Sequence, residues 1–354
     1  MKTIEVALKV APYQIHIDRW DLEAAAQIIH KHLKGNRLFV ITNTTIARLY
    51  RNKLHQSLGQ HFSLEWIVVP DGEQHKTLKT CENIYSKLIQ KKAHRDSTLL
   101  ALGGGVVGDI TGFVAATYMR GIDFIQIPTT LLAQVDASIG GKTGVDLPSG
   151  KNLVGAFYQP KAVIILTDFL KTLPERDYLS GLAEVVKYGL IADDLLFCTL
   201  KNNTGALLNR QHSILTKIIN TCCGLKAGIV ARDEKDHGLR ATLNFGHSLG
   251  HAIESLQNYR RTRHGEAIAM GMVFASKLSY ALRVSPSDHT STIALLLTQL
   301  HLPTQWPSFS HKDYQRALLI DKKTRDRNIR FILLEKIGRV KSVTLDIKSL
   351  LPCL

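Results

Sequence analysis

Residues 98–109 read TLLALGGGVVGD, and this stretch decides the fold. Residues 98–102 form a continuous apolar run with the length of a strand buried on both faces. Three glycines follow at once, and the apolar residues after them open a helix. The turn contains Gly103-x-Gly105-x-x-Gly108, the dinucleotide fingerprint. Glycines there let the backbone approach a pyrophosphate, while the helix N-terminus offers N–H groups and positive potential. One feature departs from a standard Rossmann unit, because at least one strand precedes the fingerprint. For that reason the acid about twenty residues on, Asp123, is not assigned as a ribose ligand.

Upstream, residues 37–43 (RLFVITN) form a short apolar run and a helical stretch begins near residue 44. Residues 62–69 alternate, and residues 82–92 carry helical periodicity. Downstream, residues 124–127 and 163–166 (VIIL) complete the series. Strands buried on both faces and separated by helices imply a parallel α/β sheet. The first twenty residues alternate polar and apolar and read as a strand or hairpin, not a signal peptide. After Leu173-Pro174 helical patterns dominate, at 177–192, 214–234, 247–256 and 266–282, with a late hairpin at 330–334 and 340–344. The expected class is therefore α/β plus α. Residues 1–172 would form a Rossmann-like nucleotide domain, and residues 173–354 a mainly helical metal- and substrate-binding domain.

The bulk composition narrows the function. Hydrophobic residues at 45% and charged residues at 21% of 354 describe an ordinary globular chain. No run of about 18 apolar residues offers a membrane span, so the expectation is a cytoplasmic protein with no membrane partner. The five cysteines, at 81, 198, 222, 223 and 353, contain no Cys-x-x-Cys pair and suit neither a disulfide framework nor a thiolate zinc site. A net charge of +15 suits anionic ligands. Arg260, Arg261 and Arg263 cluster, and residues 312–341 hold ten Lys/Arg against four Asp/Glu. Neither aromatic interleaving nor zinc-finger spacing accompanies that charge, so nucleic acid is not the expected partner. Small phosphorylated or acidic molecules are.

Two groups of residues could carry chemistry. Glu184 and Lys187 lie at i, i+3 on one helix face, and His247-Ser-Leu-Gly-His251 puts two imidazoles at i, i+4. Spacing alone nominates His247 and His251 together, with His264 following in His264-Gly-Glu266. The zincin glutamate after the first histidine is absent, since Ser248 stands there, which disfavours metal hydrolysis by that route. The second group is Asp136, Lys142, Asp146, Lys151 and Asn152, in a segment punctuated by glycine and proline that reads as a loop.

In order and spacing, PDGEQHKTL (70–78), GGGVVGD, IPTTLLAQVDASIGGKTGVD, GKNLVGAF, LPERDYLSGLAEVVKYG, LRATLNFGHSLGHAIE and HGEAIAMGM run the length of the chain. Together they resemble the 3-dehydroquinate synthases, of the sugar phosphate cyclase family. The resemblance implies one divalent metal, zinc or cobalt, on Glu184, His247 and His264, with His251 turned to the substrate phosphate instead. It implies NAD along Asp71, Gly72, Glu73, Gln74, His75 and Lys76. The same cofactor would meet Gly105, Val106, Val107, Gly108, Asp109, Thr129, Thr130, Lys142 and Lys151, then Phe169, Leu170, Lys171 and Thr172, with Asn43 near the adenosine ribose. Substrate would meet Asp136, Lys142, Asn152, Lys187, Lys226, Arg240, Asn244 and His251. Arg120 would reach the neighbouring site of a homodimer, and a late basic residue near Lys322 and Lys323 would close on the phosphate.

The implied substrate, 3-deoxy-D-arabino-heptulosonate 7-phosphate, carries a carboxylate and a phosphate, which suits a basic pocket. The implied reaction is a cyclisation to 3-dehydroquinate in chorismate and aromatic amino acid biosynthesis, the shikimate pathway. It runs through transient oxidation by NAD, β-elimination of phosphate, re-reduction and an intramolecular aldol closure, so NAD emerges unchanged. Rival readings are another sugar-phosphate cyclase, a polyol dehydrogenase that consumes NAD, and a basic nucleic-acid-binding protein.

Overall fold

The computed structural model describes residues 1–320, 324–325, 328–347 and 350. They form two compact units, Met1–Leu173 with Lys226–Lys235, and Pro174–Leu225 with Asp236–Leu354.

The first unit is built on a seven-stranded sheet. In chain order its elements are β1 (Lys2–Val6), β2 (Tyr13–Asp18), α1 (Leu22–His32), β3 (Arg37–Asn43), α2 (Thr44–Leu58), β4 (Ser63–Val69), α3 (Leu78–Gln90), β5 (Thr98–Gly103), α4 (Gly105–Thr117) and β6 (Asp123–Pro128). There follow β7 (Lys142–Leu147), β8 (Gly150–Phe157) and β9 (Ala162–Leu166). The sheet order is β1-β2-β9-β6-β5-β3-β4, and every pairing is parallel except the N-terminal hairpin β1-β2. Helices cover both faces. Leu22, Ile29, Tyr50 and Leu54 of α1 and α2 pack with Leu100, Ile125 and Ile164 on one side. Ile84, Leu88, Ile110 and Val114 of α3 and α4 pack with Phe39, Leu99 and Phe124 on the other. Strands covered twice explain why 98–102 and 163–166 are apolar without alternation. The parallel sheet with buried faces anticipated from sequence is present, with four strands before β5 and its glycine turn.

Residues 142–157, read from their glycines as a loop, are instead the antiparallel hairpin β7-β8. Gly144 and Gly155 face each other across it, and a side chain on Gly155 would overlap the Thr143 carbonyl. The glycines serve a close cross-strand approach rather than a turn.

The second unit is mainly helical, with α5 (Glu175–Ala192), α6 (Asp194–Asn202), α7 (Thr204–Leu208), α8 (His212–Arg232, the part before Lys226), α9 (His247–Leu256), α10 (His264–Ala281), α11 (Thr290–Gln299) and α12 (His311–Ile320). A small antiparallel sheet follows, β10 (Thr324–Arg325), β11 (Asn328–Lys336) and β12 (Arg339–Asp346). Its core joins Leu249 and Ile253 of α9, Phe274 of α10, Tyr314 of α12 and Phe331 of β11. By composition α8 is long and apolar enough to cross a bilayer, yet half of that stretch is buried within the protein.

Glycines set how closely α10 approaches its neighbours. A methyl on Gly265 would overlap the Ser180 carbonyl of α5, and one on Gly271 would overlap the Gly246 carbonyl. Gly246 itself adopts φ +79 and leads directly into α9. Three helices thereby converge at their backbones. Overpacking a site of this kind costs about 1–3 kcal/mol. Gly271→Ala should lower the unfolding free energy by that amount in urea titration, and a variant as stable as the parent would contradict the packing account.

Candidate active site

The convergence of α5, α9 and α10 brings together Glu184, His247 and His264, each offering a ligand atom within 4.8 Å of the others. Glu184 has no exposed surface. Its Oε1 lies 3.7 Å from His247 Nε2 and 3.5 Å from His264 Nε2, while Oε2 pairs with the equally buried Lys187. His247 Nδ1 lies 3.1 Å from the Phe245 carbonyl oxygen, which can only accept, so this nitrogen donates and Nε2 faces the carboxylate. Burial works against a charged His264, but hydrogen bonds to Glu184 and Glu254 and their charges push its pKa up to about 10. One buried carboxylate and two imidazoles are a donor set suited to zinc or cobalt, so the residues present fit a divalent metal.

A second group overlaps the first. His251, Glu254 and His264 also offer ligand atoms within 4.8 Å of one another. The His247 and His251 rings meet edge to face, with centroids 5.4 Å apart, as their i, i+4 spacing requires. Yet the group around the buried carboxylate takes its second imidazole from α10, not from one turn further along α9. Glu254 escaped the reading of the sequence. Its signal was available, since residues 247, 251 and 254 follow the i, i+4, i+7 period of one helix face.

The start of α10 is anchored to α5. Arg176 reaches both oxygens of Glu266, at 2.6 and 2.8 Å, and donates to the Arg261 carbonyl at 2.7 Å. Glu266 also accepts from the Arg263 backbone at 2.8 Å, and Ser180 Oγ accepts from the Gly265 N–H at 2.9 Å. In the same unit Arg240 is buried in a short helical turn, Leu239–Asn244, and Asn244 donates to the Ala241 carbonyl at 3.1 Å.

In the first unit, the candidate cofactor residues gather at the carboxyl ends of parallel strands, where open α/β sheets bind nucleotides. Asn43 ends β3 and caps α2 through the Ile46 N–H at 2.8 Å, while its Nδ2 donates to Asp71 at 2.8 Å. The glycine turn ends β5, the Thr129-Thr130 pair follows β6, and Phe169–Thr172 follows β9. Gly104 begins α4 without a side-chain cap, which leaves the first-turn N–H groups to an anion such as a pyrophosphate, so the turn fits the cofactor. Phe169 and Leu170 are core side chains, so only their backbone could meet a ligand, and Lys171 pairs with Asp168 at 2.7 Å. Asp123 stands at the opposite end of β6, paired with Lys34 and Lys161. Its position agrees with its rejection as a ribose ligand.

Lys76 is buried and donates to Asp109 at 2.6 Å and to Asn152 at 2.7 Å, which ties the glycine-turn helix to the hairpin β7-β8. Burial works against its ammonium, yet Asp109 holds it above its ordinary pKa; burial likewise raises the Asp109 carboxyl. Lys151 pairs with Glu73 at 2.7 Å, and the Asn152 N–H donates to Asp146 at 2.8 Å. Lys226 donates to the Asp136 carbonyl at 2.7 Å and pairs with its carboxylate, so two candidate substrate residues touch each other. Arg120 is exposed at φ +69 after Met119 at φ +49, and Lys142 is exposed at the start of β7. Lys322 and Lys323 lie outside the described residues.

A sequence profile described as 3-dehydroquinate synthase N-terminal matches residues 66–180, and one described as 3-dehydroquinate synthase C-terminal matches residues 181–324. The chain belongs to the 3-dehydroquinate synthase family. The 3-dehydroquinate synthase of Geobacter metallireducens is 47% identical over 346 residues, covering 98% of this chain and 96% of that protein. Among solved structures, 2-deoxy-scyllo-inosose synthase complexed with carbaglucose-6-phosphate, NAD+ and Co2+ is 27% identical at a TM-score of 0.89, covering 99% of this chain and 98% of that one. The 2-epi-5-epi-valiolone synthase of Streptomyces hygroscopicus subsp. jinggangensis, with NAD+ and Zn2+ bound, is 27% identical at a TM-score of 0.87, covering 98% and 97%.

Metal content of single variants separates the two histidine groups. After chelation and reloading with Zn2+, His247→Ala and His264→Ala should each lose stoichiometric metal, while His251→Ala keeps it. Metal retained by His264→Ala and lost from His251→Ala would move the site to the other group.

Proposed function

We propose that this chain is a 3-dehydroquinate synthase, a carbon–oxygen lyase that converts 3-deoxy-D-arabino-heptulosonate 7-phosphate to 3-dehydroquinate and phosphate. The observation that carries this reading is the Glu184–His247–His264 group around a buried carboxylate, in a chain that matches the family along most of its length. When bound, NAD supplies a reversible hydride acceptor, and a divalent metal on those three side chains polarises the substrate's hydroxyls.

The chain's own residues have to hold a dianionic phosphate, a carboxylate and a moving proton. Arg240, with Lys142 or Lys226, is assigned to the carboxylate, because a guanidinium can clamp it through two parallel hydrogen bonds. Asn152, Asn244 and His251 are assigned to the phosphate, which leaves by β-elimination and itself takes the C6 proton. Lys187, buried against Glu184, is assigned to the substrate on the family resemblance. Asp136 orients Lys226 through the pairing described above. The remaining steps, return of the hydride and aldol closure, ask only that the ring-opened intermediate stay oriented. The assignments of NAD to the 71–76, 105–109, 129–130 and 169–172 segments, with Asn43, Lys142 and Lys151, rest on the family resemblance and on their grouping at strand ends. Arg120, exposed and in a backbone conformation that non-glycine residues seldom adopt, is assigned to the neighbouring subunit of a cytoplasmic homodimer.

Phosphate release from the heptulosonate phosphate should require both NAD and a divalent metal. Trace NAD should support many turnovers without growth of NADH absorbance, whereas NADH formed in proportion to product would mean a polyol dehydrogenase. Arg240→Ala removes one partner of a desolvated charge pair, a loss of about 2–5 kcal/mol. Its kcat/KM should fall roughly 30- to several thousand-fold, with Arg240→Lys recovering part and both variants keeping metal and NAD. A loss below about threefold would remove Arg240 from the substrate site.

A further inference from the structure

The two imidazoles beside Glu184 are held in matching ways. His247 turns Nδ1 to the Phe245 carbonyl at 3.1 Å and Nε2 to Glu184 at 3.7 Å. His264 turns Nδ1 to Glu254 Oε2 at 3.4 Å and Nε2 to Glu184 at 3.5 Å. Where the residues just before α9 supply a backbone carbonyl for the first ring, α9 itself supplies a carboxylate for the second. Glu254 is itself buried, and it stands three residues beyond His251 on α9. A carboxylate on the far nitrogen of a ligating imidazole fixes its tautomer and ring orientation and raises its basicity.

We propose that Glu254 is a positioning residue, which accepts a hydrogen bond from His264 Nδ1 and thereby keeps the Nε2 lone pair directed at the Glu184–His247 corner. This assignment rests on the metal reading given above. It also gives Glu254 a part to play in the second histidine group without making it a ligand. His264 cannot turn Nδ1 to a metal bound by His251 and Glu254 and still donate that nitrogen's proton to Glu254.

The test is Zn2+ affinity of the full-length apoprotein, read by competition with a chromophoric chelator, with Co2+ absorption spectra as a report on coordination. Glu254→Ala removes the acceptor, and its Zn2+ affinity should fall about 10- to 100-fold. Glu254→Gln keeps a carbonyl oxygen in the same place and should recover most of that loss, with a Co2+ spectrum like the parent's. NAD affinity should be unchanged in both variants, which a general loss of folding would not allow. Parent-like Zn2+ affinity in Glu254→Ala overturns the assignment while leaving the metal reading intact. A Glu254→Gln variant that loses metal as completely as His264→Ala, with an altered Co2+ spectrum, makes Glu254 a ligand and also overturns it. A parent chain that binds no Zn2+ overturns the metal reading and this assignment together.

Discussion

A carboxylate with no contact with water, Glu184, is the constraint on which the helical unit depends. An ionised group in that position is costly unless charge and hydrogen bonds compensate it. Here the compensation comes from three helices at once: Lys187 one turn along α5, His247 at the start of α9 and His264 at the start of α10. The two histidines are brought there by backbone contact. Gly265 and Gly271 allow α10 to touch Ser180 and Gly246, and the left-handed Gly246 starts α9 with His247 as its first residue. The Arg176–Glu266 pair then holds the first turn of α10 in place. Packing and electrostatics are one problem at this point, since any loosening of the helices would strand a buried charge.

The nucleotide unit solves a different problem by similar means. An anion needs donors that are not already used, and the uncapped first turn of α4 supplies them at the end of the interior strand β5. Around it, Lys76 joins Asp109 to Asn152, and Lys151 joins Glu73 to the hairpin. Asn152, a candidate substrate residue, is therefore hydrogen-bonded through Lys76 to Asp109, both candidate cofactor residues, within this unit. Charged side chains are ordered in pairs there, which reduces the entropy that binding must overcome.

Much of this was legible in the residues. The run TLLAL before the glycines announced a doubly covered strand, and the change in texture after Pro174 announced the helical unit. The strands preceding the glycine turn signalled a departure from the standard Rossmann order, and Asp123 does lie at the far end of its strand. Other features depend on distances that no local pattern encodes. The i, i+4 spacing of His247 and His251 is a true statement about one helix face, but which imidazole joins Glu184 is decided by how α10 crosses α9. Only the family resemblance put His264, in place of His251, with Glu184 and His247. Gly144 and Gly155 look like turn residues because cross-strand crowding leaves the same mark in a sequence as a bend. The attachment of Lys226–Lys235 to the first unit, halfway through a helical stretch, had no local signal at all.

The proposed metal site puts one divalent ion on Glu184, His247 and His264 together. Anomalous diffraction from crystals of the Zn2+-loaded protein, recorded on either side of the zinc absorption edge, addresses it directly. A single strong peak per chain is expected, at bonding distance from a Glu184 oxygen and from Nε2 of both His247 and His264. A peak bonded instead to His251, Glu254 and Nδ1 of His264, or no peak beside Glu184, would contradict it.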